Sequence, residues 1–354
     1  MVSVSYRLAG PADAAAASRI VTVALSDLAV RQARPPFTAP ADHAAPGLGH
    51  VIETDGGRFW LAVADGSPVA FGSAWERGGE RGRLGFCSGL FVAPEWQGKG
   101  IGRHLFELAM EGLPSAGGVA ALTSSAANPV SNGLYARHGI FPLHALLYLT
   151  GPLAPLTTGA SAAATLAVSR PAGGDGPRPA RGDGSRPARG DGSRAAGGDG
   201  LRRAGGGKLA AEPLTSGHLG ELRVIDEAVL GLDRTLEHRW FLGRADNSGW
   251  LFRRRERAVG YAYLGGDGTE GAGALGPIAT LRRQDQPALL RFALAELAAR
   301  GVTQATVAVP GPNLAAQRLL WEAGFTFPAA AGLLCASRPF GRFDRYLLAG
   351  DCLL

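Results

Sequence analysis

Apolar positions from Ala12 to Ala33 recur at helical spacing, and the run stops ahead of Pro35-Pro36. The residues before it, Met1 to Arg7, alternate like a strand. Beyond it, Arg58–Ala64 and Pro68–Trp75 read as strands joined by the turn Asp65-Gly66-Ser67, a hairpin pattern, and Arg83–Val92 reads as a further strand. Gly98–Leu113 switches to helical spacing, with Leu105, Phe106, Leu108 and Met110 as its apolar surface. A strand over Val119–Thr123, a helix over Pro129–His138 and a strand over Phe141–Thr150 complete the half. The order β-α-β-β-β-α-β-α-β predicts an α/β fold on a mixed sheet.

The second half repeats the outline. A helix is expected over Ser216–Leu230 and strands over Gly249–Arg254, Ala258–Leu264 and Ala274–Ala279. A helix over Asp285–Arg300, a strand over Thr303–Val309, a helix over Asn313–Ala323 and strand-like sequence then close the chain. Between the halves, Gly-Asp-Gly recurs at 174, 182, 190 and 198, with Arg and Pro in between and almost no large apolar residue. Such sequence cannot bury enough surface to offset its ordering entropy, so a disordered linker is expected. The expected division is a first domain over 1–152, a linker over 153–208 and a second domain over 209–354.

Charge changes the picture only once it is placed. The net charge of +6 invites a nucleic-acid reading, but residues 170–208 carry nine positive and four negative side chains, five of the six excess charges. The flanking domains are near neutral, so neither nucleic acid nor membrane is expected as a partner. No apolar run is long enough to span a bilayer. Cys87, Cys335 and Cys352 lack the paired spacing of a disulfide framework or a zinc site, which suits a reducing cytoplasm and a protein without metal.

The chemistry concentrates in Leu90-Phe91-Val92-Ala93-Pro94-Glu95-Trp96-Gln97-Gly98-Lys99-Gly100-Ile101-Gly102-Arg103. A strand ends, a glycine-rich turn follows and a helix starts. The free N–H groups and dipole of a helix start favour phosphate, and a diphosphate is the natural guest. A helix start needs such a turn in any case, so these glycines alone decide little. No Ser or Thr follows Gly98-Lys99, which excludes a Walker A loop, and the spacing is not that of a dinucleotide-binding fingerprint.

The Gln-x-x-Gly-x-Gly pattern at 97–102 resembles the acetyl-CoA loop of the GNAT N-acetyltransferase superfamily. The stretch Asn128-Pro129-Val130-Ser131-Asn132-Gly133-Leu134-Tyr135-Ala136-Arg137-His138-Gly139-Ile140-Phe141 resembles that family's Asn…Leu-Tyr…Gly-Phe helix. The resemblance covers roughly residues 2–150. It implies a cofactor site in which Leu90, Phe91 and Val92 pair with the pantetheine arm. Backbone groups of Gly98, Lys99, Gly100, Ile101, Gly102 and Arg103, after Gln97, would hold the diphosphate, and Asn128 would contact pantetheine. Tyr135 would protonate the departing thiolate, a role a phenol suits; a packed aromatic is the plainer reading. Many family members place a carboxylate base on the strand leading to the loop. Here Arg83–Gly89 has none, so Glu76 is the candidate base, with Glu80 beside it. Cys87 reads as a small buried thiol.

The second half departs from the pattern. Leu275 to Pro287 lacks the glycines of the loop, and Pro287 removes an N–H donor. The helix after it keeps Asn313 and Gly324-Phe325 but puts Trp321 where a Tyr might stand. Gly231-Leu232-Asp233-Arg234 resembles a Gly-x-Asp-Arg signature of C-terminal GNAT-like domains; otherwise Asp233 is a helix cap with a solvated neighbour. The reading is two GNAT-like acyl-CoA N-acyltransferase domains in tandem, the second degenerate, shaping the acceptor pocket or mediating assembly. The implied activity is acetyl transfer from acetyl-CoA to an unidentified primary amine, of a small molecule or a peptide, by direct attack on the thioester. The alternative is a non-catalytic acyl-CoA-binding sensor.

Overall fold

Fourteen strands among the described residues join into a single mixed sheet that runs through both domains. The computed structural model describes residues 3–153, 167–168, 209–266, 271–327, 330–350 and 354. The Gly-Asp-Gly repeats of the expected linker lie outside these.

The first domain contributes β1 (Val4–Leu8), α1 (Ala14–Arg31), α2 (Ala45–Asp55), β2 (Phe59–Ala64), β3 (Ser67–Gly79) and β4 (Gly82–Val92). It continues with α3 (Ile101–Met110), β5 (Val119–Ser125), α4 (Pro129–Arg137) and β6 (Phe141–Pro152). A two-residue strand β7 (Ala167–Val168) pairs with β8 (Leu209–Pro213), so part of the expected linker belongs to the sheet. The second domain then runs α5 (Leu219–Val229), α6 (Thr235–Gly243), β9 (Asn247–Arg254), β10 (Arg257–Gly266) and β11 (Ala272–Thr280). After these come α7 (Gln286–Ala299), β12 (Gln304–Pro310), α8 (Leu314–Glu322), β13 (Gly332–Ala336) and β14 (Tyr346–Leu347).

The strand order is β1-β2-β3-β4-β5-β13-β6-β12-β11-β10-β9-β8-β7. Each domain's sixth strand therefore crosses to its sibling. β13 pairs with β5, from Gly332 opposite Ser125 to Ala336 opposite Ala121, and β6 pairs with β12, from Pro152 opposite Gln304 to Leu146 opposite Pro310. Neither sheet is complete without the other domain, and the boundary at 152 cuts a shared structure. Leu153, one residue past it, is buried in the second domain's core.

Side-chain alternation sorts the helices onto two faces. On β2, Phe59 and Leu61 pack with Ile20, Leu48 and Val51 of α1 and α2. Ala62 and Ala64, one residue out of phase, pack with Ile101 and Leu105 of α3. The first of these clusters also takes in Leu222, Ile225, Tyr261 and Tyr263, so the two domains share one core. Across it Arg77 is clamped by Asp55 at 2.8 Å and Glu237 at 2.7 Å. Removing one partner of such a buried pair costs about 3–5 kcal/mol. Two helices, α2 and α6, were not anticipated by the sequence reading.

Candidate active site

Strand β4 is where the first domain's site begins. It pairs with β3 along its length, but with β5 only from Leu84 opposite Val119 to Cys87 opposite Leu122. Beyond Cys87 the two strands splay, while β5 goes on pairing with β13 along its other edge. The outer edge of Leu90, Phe91 and Val92 has no strand partner among the described residues. Their main-chain groups can pair with an extended amide-bearing ligand.

The turn that follows is held by its own side chains. Gln97 donates from Nε2 to the Val92 carbonyl at 3.0 Å, and Lys99 lies over the Trp96 ring at 4.4 Å. Gly98 and Gly100 have φ of 76° and 82°, the left-handed region that strains other residues. This gives both glycines a conformational reason besides any ligand. Helix α3 starts without a side-chain cap, and the His104 N–H is its first to reach a main-chain acceptor, on Gly100 at 3.2 Å. Among the described residues the N–H groups of 98–103 have no protein acceptor, which leaves them for an anion. Arg103 is largely exposed, 3.9 Å from Glu107.

Two cavities meet here. One of about 600 Å³ runs along Leu90–Val92, Gln97, Gly98 and Gly100–Arg103. The second, of about 470 Å³, lies between the C-terminal end of α1, the splay and residues 330–332 of the second domain. Leu90, Asn128 and Ser131 line both, so they form one tract. Asn128 caps α4 by accepting from the Ser131 N–H at 3.3 Å. One helical turn on, Tyr135 is buried against Phe106 and lines the second cavity. Burial, with Cys87 nearby, pushes its phenol well above the ordinary value although Ser131 hydrogen-bonds it. The thiol of Cys87, in the same wall, is pushed up to about 12 by burial and is no nucleophile near neutrality.

Glu76 stands elsewhere and is a correction to the sequence reading. Its carboxylate accepts from the Ser115 N–H at 2.7 Å and the Ser115 hydroxyl at 2.9 Å, and pairs with Arg83 at 3.2 Å. It sits opposite Gly85, before the splay, and lines neither cavity. Glu80 lines neither as well. No Asp, Glu or His is among the residues that line the second cavity.

The second domain repeats the splay and fills it. β11 pairs with β12 from Ala272 opposite Gln304 to Leu275 opposite Val307, then parts from it. Into the gap runs β14, with Leu347 opposite Ile278 and Tyr346 opposite Ala279, while Leu348 bridges to Ala308 on β12. Counted from the last paired residues, Cys87 and Leu275, Ile278 and Ala279 match Leu90 and Phe91. Asn313, the counterpart of Asn128, caps α8 through the Ala316 N–H at 3.2 Å and donates from Nδ2 to the Tyr346 carbonyl at 3.2 Å. At the start of α7, buried Asp285 pairs with Arg254 at 2.7 Å, and Pro287 sits in the first turn.

The short Gly-x-Asp-Arg stretch holds this segment. Asp233 stands one residue ahead of the N-cap, Arg234, and accepts from the Thr235 N–H at 2.9 Å. Arg234 is 1% exposed rather than solvated, and donates from Nη1 to the Tyr346 hydroxyl at 2.7 Å. Counting from the capping Asn also corrects the reading of Trp321. Tyr135 lies seven residues after Asn128, and seven after Asn313 is Leu320, fully buried; Trp321 is half exposed. The sequence reading expected strand-like sequence to close the chain but did not single out Tyr346–Leu347 or the splay they fill.

Residues 23–140, about a third of the chain, match the model of the Acetyltransferase (GNAT) family, which ties that stretch of the first domain to it. Its second domain carries the same fold, making a tandem arrangement. A putative acetyltransferase from Pyrococcus horikoshii superposes over 99% of this chain and 95% of its own at a TM-score of 0.63 and 14% identity. A tandem GNAT protein from the clavulanic acid biosynthesis pathway does so over 95% and 99% at 0.52 and 15%. At the sequence level, an aminoglycoside N(6')-acetyltransferase type 1 from Stenotrophomonas maltophilia is 35% identical over 60 residues, 16% of this chain. The match spans 39% of that relative's length. Among the described residues no helix is long and apolar enough to cross a membrane.

Proposed function

We propose that the first domain is an acetyl-CoA-dependent N-acetyltransferase acting on a primary amine. The observation that carries this is the single tract formed by the two cavities, with unpaired N–H groups at one end and Tyr135 at the other. Acetyl-CoA would supply the acyl group as a thioester, attacked directly by the amine. The N–H groups of Gly98–Arg103 would hold its diphosphate, the free edge of Leu90–Val92 would align pantetheine, and Asn128 would add its amide. Direct attack is favoured because Cys87, in the cavity wall, is too weak an acid to form the nucleophilic thiolate.

Tyr135, with its raised pKa, stays protonated at any working pH. It would stabilise the leaving sulfur by donating a hydrogen bond, since full transfer of so firmly held a proton to a thiolate is uphill. With no carboxylate or imidazole in the acceptor cavity, the amine would enter neutral or pass its proton to bulk solvent through water held on main-chain carbonyls. The buried free thiols Cys87 and Cys335 suit a reducing cytoplasm.

That same lack of a base favours one second reading, a non-catalytic acyl-CoA sensor. Thiol release from acetyl-CoA over a panel of primary amines separates the two. Release dependent on one class of amine supports the enzyme. Tight acetyl-CoA binding with no release on any amine supports the sensor.

A further inference from the structure

We infer that the acceptor is a small amine carrying a carboxylate, and that Arg34 is the residue that recognises it. The inference rests on the acetyltransferase reading, but its binding side is separable from turnover. Arg34 is the only charged side chain among the described residues that line the acceptor cavity. The other polar lining groups include Gln32, Thr38, Ser88, Ser124, Ser125 and Tyr148, all neutral.

Arg34 is held toward this place. Its N–H bonds the Ala29 carbonyl at 3.0 Å across the end of α1, where Ala33 takes a left-handed φ of 54°. Its guanidinium donates from Nη1 to Gln32 Oε1 at 3.4 Å, and Gln32 in turn donates to the carbonyl of Ala127, beside Asn128. No carboxylate among the described residues pairs with it. Arg77, Arg234, Arg253 and Arg254, also in partly or fully buried places, each have one, while the partly buried Arg58 is held by the Glu111 carbonyl at 2.6 Å. A half-buried guanidinium whose Nε and Nη2 donors have no acceptor among the described residues matches a carboxylate.

Charge complementarity also says what the cavity rejects. A polycationic acceptor, such as an aminoglycoside, for which the Stenotrophomonas maltophilia relative is named, would meet Arg34 and no balancing acid. An amino-acid-like acceptor would place its carboxylate on Arg34 and leave its amine free to face the tract shared with the cofactor groove.

The test uses the full chain, with amino acids and their carboxamides as matched probes and kanamycin as the polycation. Thermal shift and calorimetry in the presence of CoA read binding; thiol release from acetyl-CoA reads turnover. The expected result is at least one amino acid favoured about tenfold or more over its amide, with Arg34→Gln erasing that preference. Arg34→Lys should restore part of it. Carboxylate-selective binding lost in Arg34→Gln, with no turnover by wild type on any probe, upholds carboxylate recognition by Arg34 and counts against the acetyltransferase reading. Amides or kanamycin binding as well as the amino acids, or a preference unchanged in Arg34→Gln, overturns the inference whatever the turnover.

Discussion

The two splays occupy equivalent places in one sheet and meet opposite fates. In the first domain, Leu90–Val92 keep a main-chain edge with no strand partner beside a helix start whose N–H groups have no protein acceptor among the described residues. In the second, Tyr346–Leu348 lie along that edge, and Asp285 with Arg254 fill the helix start. The second domain thus displays in protein atoms the contacts the first would offer a ligand. A strand-like segment pairs with β11, and the capping Asn reaches across to a carbonyl of that segment. It also shows what a ligand would meet in the second domain, where it would have to displace a segment latched by Arg234 and Asn313. The second domain also reaches the first through β13, which pairs with β5, and its residues 330–332 line the acceptor cavity.

The largest effect that sharpens this contrast is on binding. Calorimetry should find one acetyl-CoA per chain. Gly100→Glu should weaken that binding by about 100-fold or more, roughly 3 kcal/mol. The substitution strains a φ of 82° and sets a carboxylate where the diphosphate would sit. A residual site of unchanged affinity in the variant would place binding in the second domain and break the comparison.

Next comes the residue that differs between the two helices, Tyr135 against Leu320. Tyr135→Phe should lower kcat by about 10–100-fold, the worth of one hydrogen bond to a charged leaving group, with acetyl-CoA affinity unchanged. Because the phenol's pKa is raised, its proton is not lost as pH climbs through the ordinary range of tyrosine. The kcat profile should therefore show no fall assignable to Tyr135 up to pH 10, and Tyr135→Phe should leave its shape unchanged. Such a fall, present in wild type and absent in the variant, would make the phenol an acid of ordinary strength and return it to full proton transfer.

The contrast between the halves was legible where it is written in local sequence. The glycines at 98 and 100, the capping Asn128 and Asn313 and the lost loop at 282–287 all act within a few residues of themselves. The strand exchange was not legible, because nothing in Phe141–Pro152 says which fifth strand it will meet. β14 is two residues long and gains its identity only from the splay it fills. α2 hides Leu48, Val51 and Ile52, a fair helical stripe, behind Pro46, Gly47 and Gly49. α6 buries Glu237 and His238 beside Phe241, so its inner face does not look apolar. Glu76 misled because a carboxylate near the loop in sequence was taken as near it in space. It lies far enough along β3 to belong to Ser115 instead.

The smallest effect compares the two capping asparagines, which do the same local work and differ in what lies beyond the helix. Asn128→Ala and Asn313→Ala should each lose about 1 kcal/mol for the missing cap. Asn313→Ala gives up a further bond, to the Tyr346 carbonyl, worth about 1 kcal/mol. Its Tm should therefore fall further than that of Asn128→Ala, while acetyl-CoA affinity and turnover stay near wild type. Asn128→Ala should show the reverse, a smaller fall in Tm and a several-fold rise in KM for acetyl-CoA, because its amide nitrogen has no protein acceptor among the described residues. Equal KM changes in the two variants would mean that the second helix reaches the cofactor after all, and that the filled splay gives way.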